Sequence, residues 1–371
     1  MKFTVNKQAL YSSLQRMIPV VPAKTTIPVL TNILFELNKN SLRLTGTDLE
    51  VSILTALEVL GQENGKAALP AKKLFDLIRE LPDMPLSFEC DQANRLTIKT
   101  EKGQYKISGE SSEEYPHIAT EEQERKFSYS ATGFIKLVEK TMFAVSTDEL
   151  RTTLMGVLLD LRANELRMVA TDGHRLAKVV DSSFSYSSEP GQVIMPVKAL
   201  QLLSRNIDQA DQMDIAISRD HITFMLGATT IYSKVINGHY PAYERVIPSD
   251  NNLGMQVERD LLSATVRRSS IFANQHTHQV RWQIAPNSLT LSAEDMESGG
   301  NSRESIAVDY SGDEFEIGYN ANYVLEILRH VDTELALFRL RDAGSAAIIE
   351  PLPQQDGLHF MMLLMPIRLN E

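Results

Sequence analysis

FTVNKQALYSSLQRMIPVV (residues 3–21), FSYSATGFIKLVEKTMFAVS (127–146) and MQVERDLLSATVRRSSIFAN (255–274) decide the fold, because each runs from a short alternating strand into an amphipathic helix. Leu10, Phe134 and Leu262 hold corresponding places in the three segments. Downstream of them stand LRLTGTDLE (42–50), LRMVATDGH (166–174) and LTLSAEDME (289–297), each an alternating strand ending in an acidic turn. Asp48, Asp172 and Asp295 correspond, at spacings of 124 and 123. A strand end leading into a second helix then returns as LPAKKLFDLI (69–78), MPVKALQLLS (195–204) and YNANYVLEIL (319–328), aligning Pro70, Pro196 and Asn320 at spacings of 126 and 124. Proline near a helix start forfeits only an N–H that lacks a partner there, and asparagine in that place caps the helix. Three landmarks in one order at one period mark a threefold repeat of whole domains, since the period far exceeds that of solenoid units.

Outward from these landmarks, each repeat reads as strand, helix, strands, helix, strands. SLRLTG, RLTIKT, YKISGE, MDIAIS, HITFML and AAIIEP alternate with period two, as half-buried antiparallel strands do when helices cover one face. The expected fold class is α+β, with three similar domains over 1–124, 125–249 and 250–371, each carrying two helices on antiparallel sheets. A chain of 371 residues is in any case too long for one ordinary core. The expected linkers are the acidic ATEEQERK (119–126) and the polar PSDNNLG (248–254).

Composition narrows the class. Hydrophobic residues at 43% and charged residues at 23% are those of a soluble globular protein. The single cysteine, Cys90, can make no intramolecular disulfide and no cysteine-based zinc site, so it is expected as a small buried hydrophobe in a cytoplasmic protein. MKFTVNKQAL lacks the features of a signal peptide, and no run approaches the length of a membrane span, so neither export nor membrane insertion is expected.

The net charge of −11 excludes a simple basic nucleic-acid binder. Its distribution says more. The expected helical segments 6–24, 70–81, 131–151, 196–210, 258–273 and 320–333 carry +3, +1, 0, +1, +1 and −1, which is +5 together and leaves −16 on the rest. If those helices line a central hole, Lys24, Lys72, Lys73, Arg151, Lys198, Arg205, Arg267 and Arg268 are the candidates for phosphate contact. A weakly basic lining in an acidic body attracts phosphates at long range without base contacts that would resist sliding.

Catalytic alternatives compete with these readings. Asp48-x-Glu50 ends a strand and could serve a metal-dependent 3'-5' exonuclease. Its counterparts are Asp172-Gly-His174 and Asp295-Met-Glu297, so the acid belongs to a repeated turn, and no further converging carboxylates stand out. His174 beside Asp172 lacks a nucleophile motif, and His276-x-His278 offers two ligands at most. No Walker A loop, dinucleotide fingerprint or H-E-x-x-H motif is present, so no catalysis, cofactor or metal is expected. A peptide-binding scaffold unrelated to DNA is a third reading.

MKFTV (1–5), LTGTDLE (44–50), TDGHRLA (171–177), PAYERVIP (241–248), YSGDEFEIGYNANYVLEIL (310–328) and MPIRL (365–369) together resemble the bacterial DNA sliding clamps, the β subunits of the replicative DNA polymerase, over essentially the whole chain. The resemblance implies the DNA clamp fold and a head-to-tail homodimer that forms a six-domain ring. It implies a processivity factor that encircles duplex DNA and tethers the polymerase, with ATP used by a separate clamp loader. It also implies a groove between the second and third domains for a short partner peptide. Carried over residue by residue, that groove comprises Leu154, Thr171, Gly173, His174, Arg175 and Leu176, then Pro241 and Val246, then Met365, Pro366, Ile367, Arg368 and Leu369. Apolar walls would take a Leu or Phe anchor, with arginines at the rim. The implied dimer contact sets Lys73, Tyr105 and Ile107 against Ile271 and Phe272 of the other copy. Thr152 and Thr153 stand where some members carry tyrosines, and Asn370 and Glu371 extend past the usual Arg-Leu end.

Overall fold

The structure is a computed structural model and describes residues 1–118, 125–186, 189–207, 211–295 and 299–369. The first repeat consists of β1 (Lys2–Asn6), α1 (Lys7–Met17), β2 (Asn32–Asn38), β3 (Ser41–Thr47), β4 (Val51–Glu58), β5 (Leu60–Glu63), β6 (Gly65–Pro70), α2 (Ala71–Glu80), β7 (Pro85–Cys90), β8 (Arg95–Lys99) and β9 (Gln104–Ser108). The second consists of β10 (Arg125–Ser130), α3 (Ala131–Met142), β11 (Gly156–Arg162), β12 (Glu165–Thr171), β13 (Arg175–Asp181), β14 (Gly191–Pro196), α4 (Val197–Ser204), β15 (Gln212–Ile217), β16 (His221–Leu226) and β17 (Thr229–Lys234). The third consists of β18 (Leu253–Glu258), α5 (Arg259–Ser270), β19 (Gln279–Ala285), β20 (Ser288–Asp295), β21 (Gly300–Ala307), β22 (Phe315–Asn320), α6 (Ala321–Arg329), β23 (Leu335–Leu340), β24 (Ala347–Leu352) and β25 (Leu358–Leu364). Among the described residues only β5 lacks a counterpart in the other two repeats.

Local chemistry explains the helix starts. The Asn6 side chain accepts from the N–H groups of Gln8 and Ala9 at 2.8 and 3.2 Å, and Asn320 accepts from those of Asn322 and Tyr323 at 2.9 and 3.4 Å. Pro70 and Pro196 hold the equivalent position before α2 and α4. α1 buries Leu10, Leu14 and Met17, and α2 buries Ala71, Leu74 and Ile78, the spacing of one helical face.

The helices end earlier than the sequence pattern suggests. α1 ends at Met17, with Ile18 as its C-cap; Pro19 and Pro22 follow, and with no N–H to donate they cannot continue the helical ladder. Lys24 therefore lies in a loop, and so does Arg151, which follows α3 by nine residues and precedes the 3-10 turn Thr152–Leu154. With the observed bounds the six helices carry +2, +1, +1, +1, +2 and 0, so they hold +7 and the remainder holds −18. The segregation of charge is sharper than expected, because the trimmed ends are on balance acidic.

Two compact units emerge, Met1–Ile135 with Met195–Val235 and Lys136–Ile194 with Ile236–Glu371. The first holds a five-stranded sheet in the order β5-β1-β7-β8-β9 and an eight-stranded sheet in the order β10-β15-β16-β17-β4-β3-β2-β6. Phe3 stacks on Phe88 at 4.9 Å in its core, and Phe134 meets Phe224 edge-on at 5.9 Å. The second holds an eight-stranded sheet in the order β14-β11-β12-β13-β25-β24-β23-β18 and a four-stranded sheet in the order β21-β20-β19-β22. Trp282 packs against Tyr319 and Phe338 at its centre.

The units do not coincide with the repeats, for a definite reason. Consecutive repeats join edge to edge within a sheet, β4 to β17 with Ile53 opposite Ile231, and β13 to β25 with Ala177 opposite Met362. Packing density follows those continuous sheets, so the central repeat contributes to both units. The PSDNNLG segment is no free linker either. Its Asn251 is buried and donates to the carbonyls of Arg339 and Ala346 at 3.0 and 2.8 Å, and β18 begins at Leu253. Most of ATEEQERK lies outside the described residues; Arg125 and Lys126 already belong to β10. Cys90 is buried, and burial raises its thiol pKa.

Candidate functional site

The repeated acidic turn is built identically twice. Asp48 accepts from the N–H groups of Glu50 and Val51 at 2.9 and 2.7 Å, while Thr47 donates to the Val51 carbonyl at 3.1 Å. Asp172 accepts from those of His174 and Arg175 at 2.8 and 3.0 Å, while Thr171 donates to the Arg175 carbonyl at 2.6 Å. Leu49 and Gly173 take the left-handed conformation these turns need. One Asp48 oxygen is thus held by backbone and the other pairs with Lys198, while Glu50 is exposed. The exonuclease reading is thereby corrected: Asp48 is a turn former, and no group of three potential metal ligands exists among the described residues. In the third copy Asp295 is buried and Glu297 lies outside the described residues. His276 and His278 sit in a turn whose N–H groups are held by Asn274.

Within the second unit, a cavity of about 560 Å³ opens on one face of the eight-stranded sheet. Its floor belongs to an apolar cluster in which Leu158, Val169, Leu176, Ile348, Met361 and Leu363 present alternate residues of adjacent strands to the same side. Leu154, Thr171, Gly173, Arg175, Leu176, Pro241, Val246 and Met365 line it. Val246 is 57% exposed and Met365 43%, so two large apolar side chains stand open to solvent at the wall. Met365 is fixed by its N–H, which donates to the His174 carbonyl at 2.8 Å.

Other predicted groove residues stand elsewhere. His174 is outside the lining and faces the Tyr323 ring at 6.2 Å. Pro366, Ile367, Arg368 and Leu369 also lie outside it, because the Ile367 N–H donates to the Gly318 carbonyl at 2.8 Å and draws the tail along the free edge of β22. Asn370 and Glu371 fall outside the described residues. Arg175 does line the cavity, but not as a free cation at its rim. Its guanidinium is buried, donating to Asp172 at 3.1 Å, Glu326 at 2.6 Å and the Phe143 carbonyl at 2.9 Å, and it lies over the Tyr323 ring. It braces the wall, and Arg245 and Arg341 take up the exposed basic positions.

The wall that sequence reasoning missed comes from the turn between β23 and β24. Arg341, Gly344, Ser345 and Ala346 close the far side, and Arg341 pairs with Asp250 at 2.6 Å. No sequence signal marks them, since they come together with Pro241 only through the β13–β25 joint. The near wall, the 3-10 turn Tyr243–Val246, is anchored by buried Tyr243, whose hydroxyl donates to Asp160 at 3.1 Å. Burial raises the Tyr243 pKa. Glu244 is clamped by Arg167 at 2.5 Å and Arg162 at 3.2 Å, and the Arg167 hydrogen bond leads the lowering of its pKa.

The predicted DNA-contact residues divide into two groups. Lys24, Arg205 and Arg267 are exposed and uncommitted to any carboxylate among the described residues. Lys72 is 4.0 Å from Asp76 and Lys73 is exposed beside it. Lys198, Arg151 and Arg268 are engaged with Asp48, Asp148 and Glu304. Of the predicted dimer residues, Tyr105 and Ile107 lie on β9, an edge strand; Ile271 and Phe272 follow α5, 75% and 38% exposed. Among the described residues no helix is long and apolar enough to cross a membrane.

Comparison with known proteins supplies the family. Residues 1–119, 130–242 and 244–368 match, in turn, the N-terminal, central and C-terminal domains of the DNA polymerase III beta subunit. The beta sliding clamps of Pseudomonas aeruginosa and Pseudomonas putida are 31% and 32% identical, each alignment covering all of both chains. Crystal structures of sliding clamps from Pseudomonas aeruginosa and Caulobacter crescentus superpose with TM-scores of 0.95 and 0.91 at 31% and 30% identity, again over all of both chains.

Proposed function

This chain belongs to the DNA polymerase III beta subunit family, non-catalytic sliding clamps that act as processivity factors, and from that premise we propose that two copies close head to tail into a ring around duplex DNA. The observation that carries this reading is a pattern of strand edges. Twice within the chain, the strand that closes a repeat's first sheet pairs with the last strand of the next repeat: β4 with β17, and β13 with β25. One strand of each kind, β21 and β9, is left at a sheet edge. An unpaired edge is a template for another chain, and a heterologous contact that closes on itself gives a ring.

The internal repeat also supplies a register. Tyr105 faces Ile98 as Ile231 faces Phe224 and Met362 faces Ile349. Ser302 faces Ala293 as Ile53 faces Gly46 and Ala177 faces Ala170. Since Ile231 opposes Ile53 and Met362 opposes Ala177, Tyr105 of one copy opposes Ser302 of the other. Directly opposed residues lie about 5 Å apart at Cβ. A Tyr105→Cys/Ser302→Cys variant is expected to give a covalent dimer with a short bis-maleimide, Cys90 being buried. No covalent dimer, or equal yield from a pair shifted by one residue, would overturn the register.

The three domains are assigned to 1–124, 125–249 and 250–371, and the site of action is the cytoplasm. Duplex DNA is held by enclosure and by sequence-independent attraction to the basic helices. The replicative polymerase, the clamp loader and other proteins with clamp-binding peptides dock through the groove around Leu176, Val246 and Met365. Tethering raises a partner's effective concentration at the primer end without any new contact to DNA. The overall test is retention on circular against linearised DNA after loading; equal loss from both would refute enclosure.

For the DNA-facing surface, Lys24→Glu with Arg205→Glu is expected to lower loading several-fold and flatten its salt dependence by about 0.9 for each phosphate no longer neutralised. Peptide affinity should be untouched. Unchanged loading and slope would remove both residues from that surface.

A further inference from the structure

A second cavity, of about 340 Å³, lies on the same sheet face on the other side of the Pro241–Arg245 segment. The two cavities share Pro241, Ala242, Tyr243 and Arg245, so this segment is a ridge between them. The second one reaches over β11 and β14 through Leu158, Arg162 and Gln192, whereas the first lies over β13 and β25 through Leu176 and Leu363. Leu158 belongs to the same apolar cluster as Leu176 and Leu363, which makes the floor continuous beneath the ridge.

The chemistry of the second cavity differs from that of the first. Around it Arg162, Arg167, Lys178 and Arg245 stand against Asp160, Glu165 and Glu244, one positive charge in excess. Asp160, Glu165 and Glu244 are all taken up by Arg162 and Arg167. Arg245 is exposed, lines both cavities and is paired with no carboxylate among the described residues. Lys178, half-buried on the same face, has its pKa lowered by burial first and by Arg167 next, as expected where cations outnumber anions.

We propose that this second cavity is a carboxylate subsite, which takes an acidic side chain of a partner peptide whose apolar anchor sits in the first cavity. The proposal rests on the groove reading above and deepens it. Three strand spacings of about 4.8 Å separate β11 from β25, roughly 14 Å, which four to five extended residues cross. The acid therefore belongs four to five residues from the anchor. An aspartate or glutamate there meets the uncommitted Arg245 guanidinium, and a charge-assisted hydrogen bond is roughly twice as strong as a neutral one. A glutamine in the same place gains no such contact.

The test uses full-length protein and isothermal titration. The probes are a short synthetic peptide with adjacent Leu and Phe anchors and the same peptide extended at either end by Gly-Ser-Gly-Ser and two Glu or two Gln residues. The expected result is a Kd lowered about 5- to 10-fold for one Glu-extended peptide over its Gln twin, a gain that shrinks with salt. Gln192→Glu, which adds a negative charge to the second cavity alone, should erase the gain and leave the unextended peptide's Kd unchanged. Arg245→Ala should reduce the gain as well. Equal affinities for Glu- and Gln-extended peptides at both ends, or a gain that survives Gln192→Glu, would overturn the subsite. Failure of the unextended peptide to bind would overturn the groove assignment and the subsite with it.

Discussion

The Ile271→Asp/Phe272→Asp variant is expected to sediment as a monomer at micromolar concentration and to lose retention on circular DNA. Both side chains are large, apolar and open to solvent in one copy, which is unusual for residues that follow a helix. Burying each against a second copy contributes about 1.5 to 3 kcal/mol, and replacing it by an unpaired buried carboxylate reverses the sign. Two such changes raise the dimer dissociation constant by more than about 1,000-fold at roughly 1.4 kcal/mol per decade. The variant should still fold, because neither side chain belongs to the buried core around Trp282 and Tyr319. Its affinity for an anchored peptide should be unchanged, since no groove-lining residue is altered. A variant that stays dimeric would remove this surface from the interface and leave the β9 and β21 edges without the apolar contact expected beside them.

Deleting Met365 to Glu371 is expected to weaken partner-peptide binding by about 30-fold or more while the dimer persists. The deletion removes the Met365 wall, worth about 1.5 to 3 kcal/mol when buried by a ligand, and the Met365-to-His174 backbone bond that fixes it. β25 ends at Leu364 and keeps its pairing with β13 and β24, so the floor survives. Fluorescence anisotropy with a labelled anchored peptide measures the effect directly. Met365→Ala alone should produce most of it, because Pro366 to Leu369 lie outside the cavity. If the deletion binds as well as the full chain, the peptide sits elsewhere. If Met365→Ala binds normally and the deletion does not, the tail along β22 is the true contact.

How much of this is legible in the residues themselves varies with the range of the interaction. The strand-to-helix units at Phe3, Phe127 and Met255 announce the repeat because periodicity and capping are local. Asn6 and Asn320 cap in place, and the prolines stand before α2 and α4. Asp48 and Asp172 are assignable to turns from their repetition alone, and they hold the same hydrogen bonds. α3 reads too long in the sequence because the helix-tolerant STDELR stretch (146–151) continues past Met142 although the chain has already turned, whereas α1 ends where Pro19 and Pro22 follow. Arg175 lines the cavity with a committed guanidinium and not as a free rim cation for a different reason. An arginine's place in the sequence says nothing of the three acceptors that Asp172, Glu326 and Phe143 assemble around it.

What the amino-acid order determined by itself is the threefold α+β unit, the separation of basic helices from an acidic body and the absence of any catalytic motif. These follow from patterns a few residues long, repeated. What only the tertiary structure decided is where repeats meet. The joints of β4 with β17 and of β13 with β25 bring together residues far apart in the chain, and with them come both cavities, the Arg341–Ala346 wall and the leftover edges of β9 and β21. Strand pairing is carried by backbone groups that every residue possesses, so no side-chain pattern records which edge meets which.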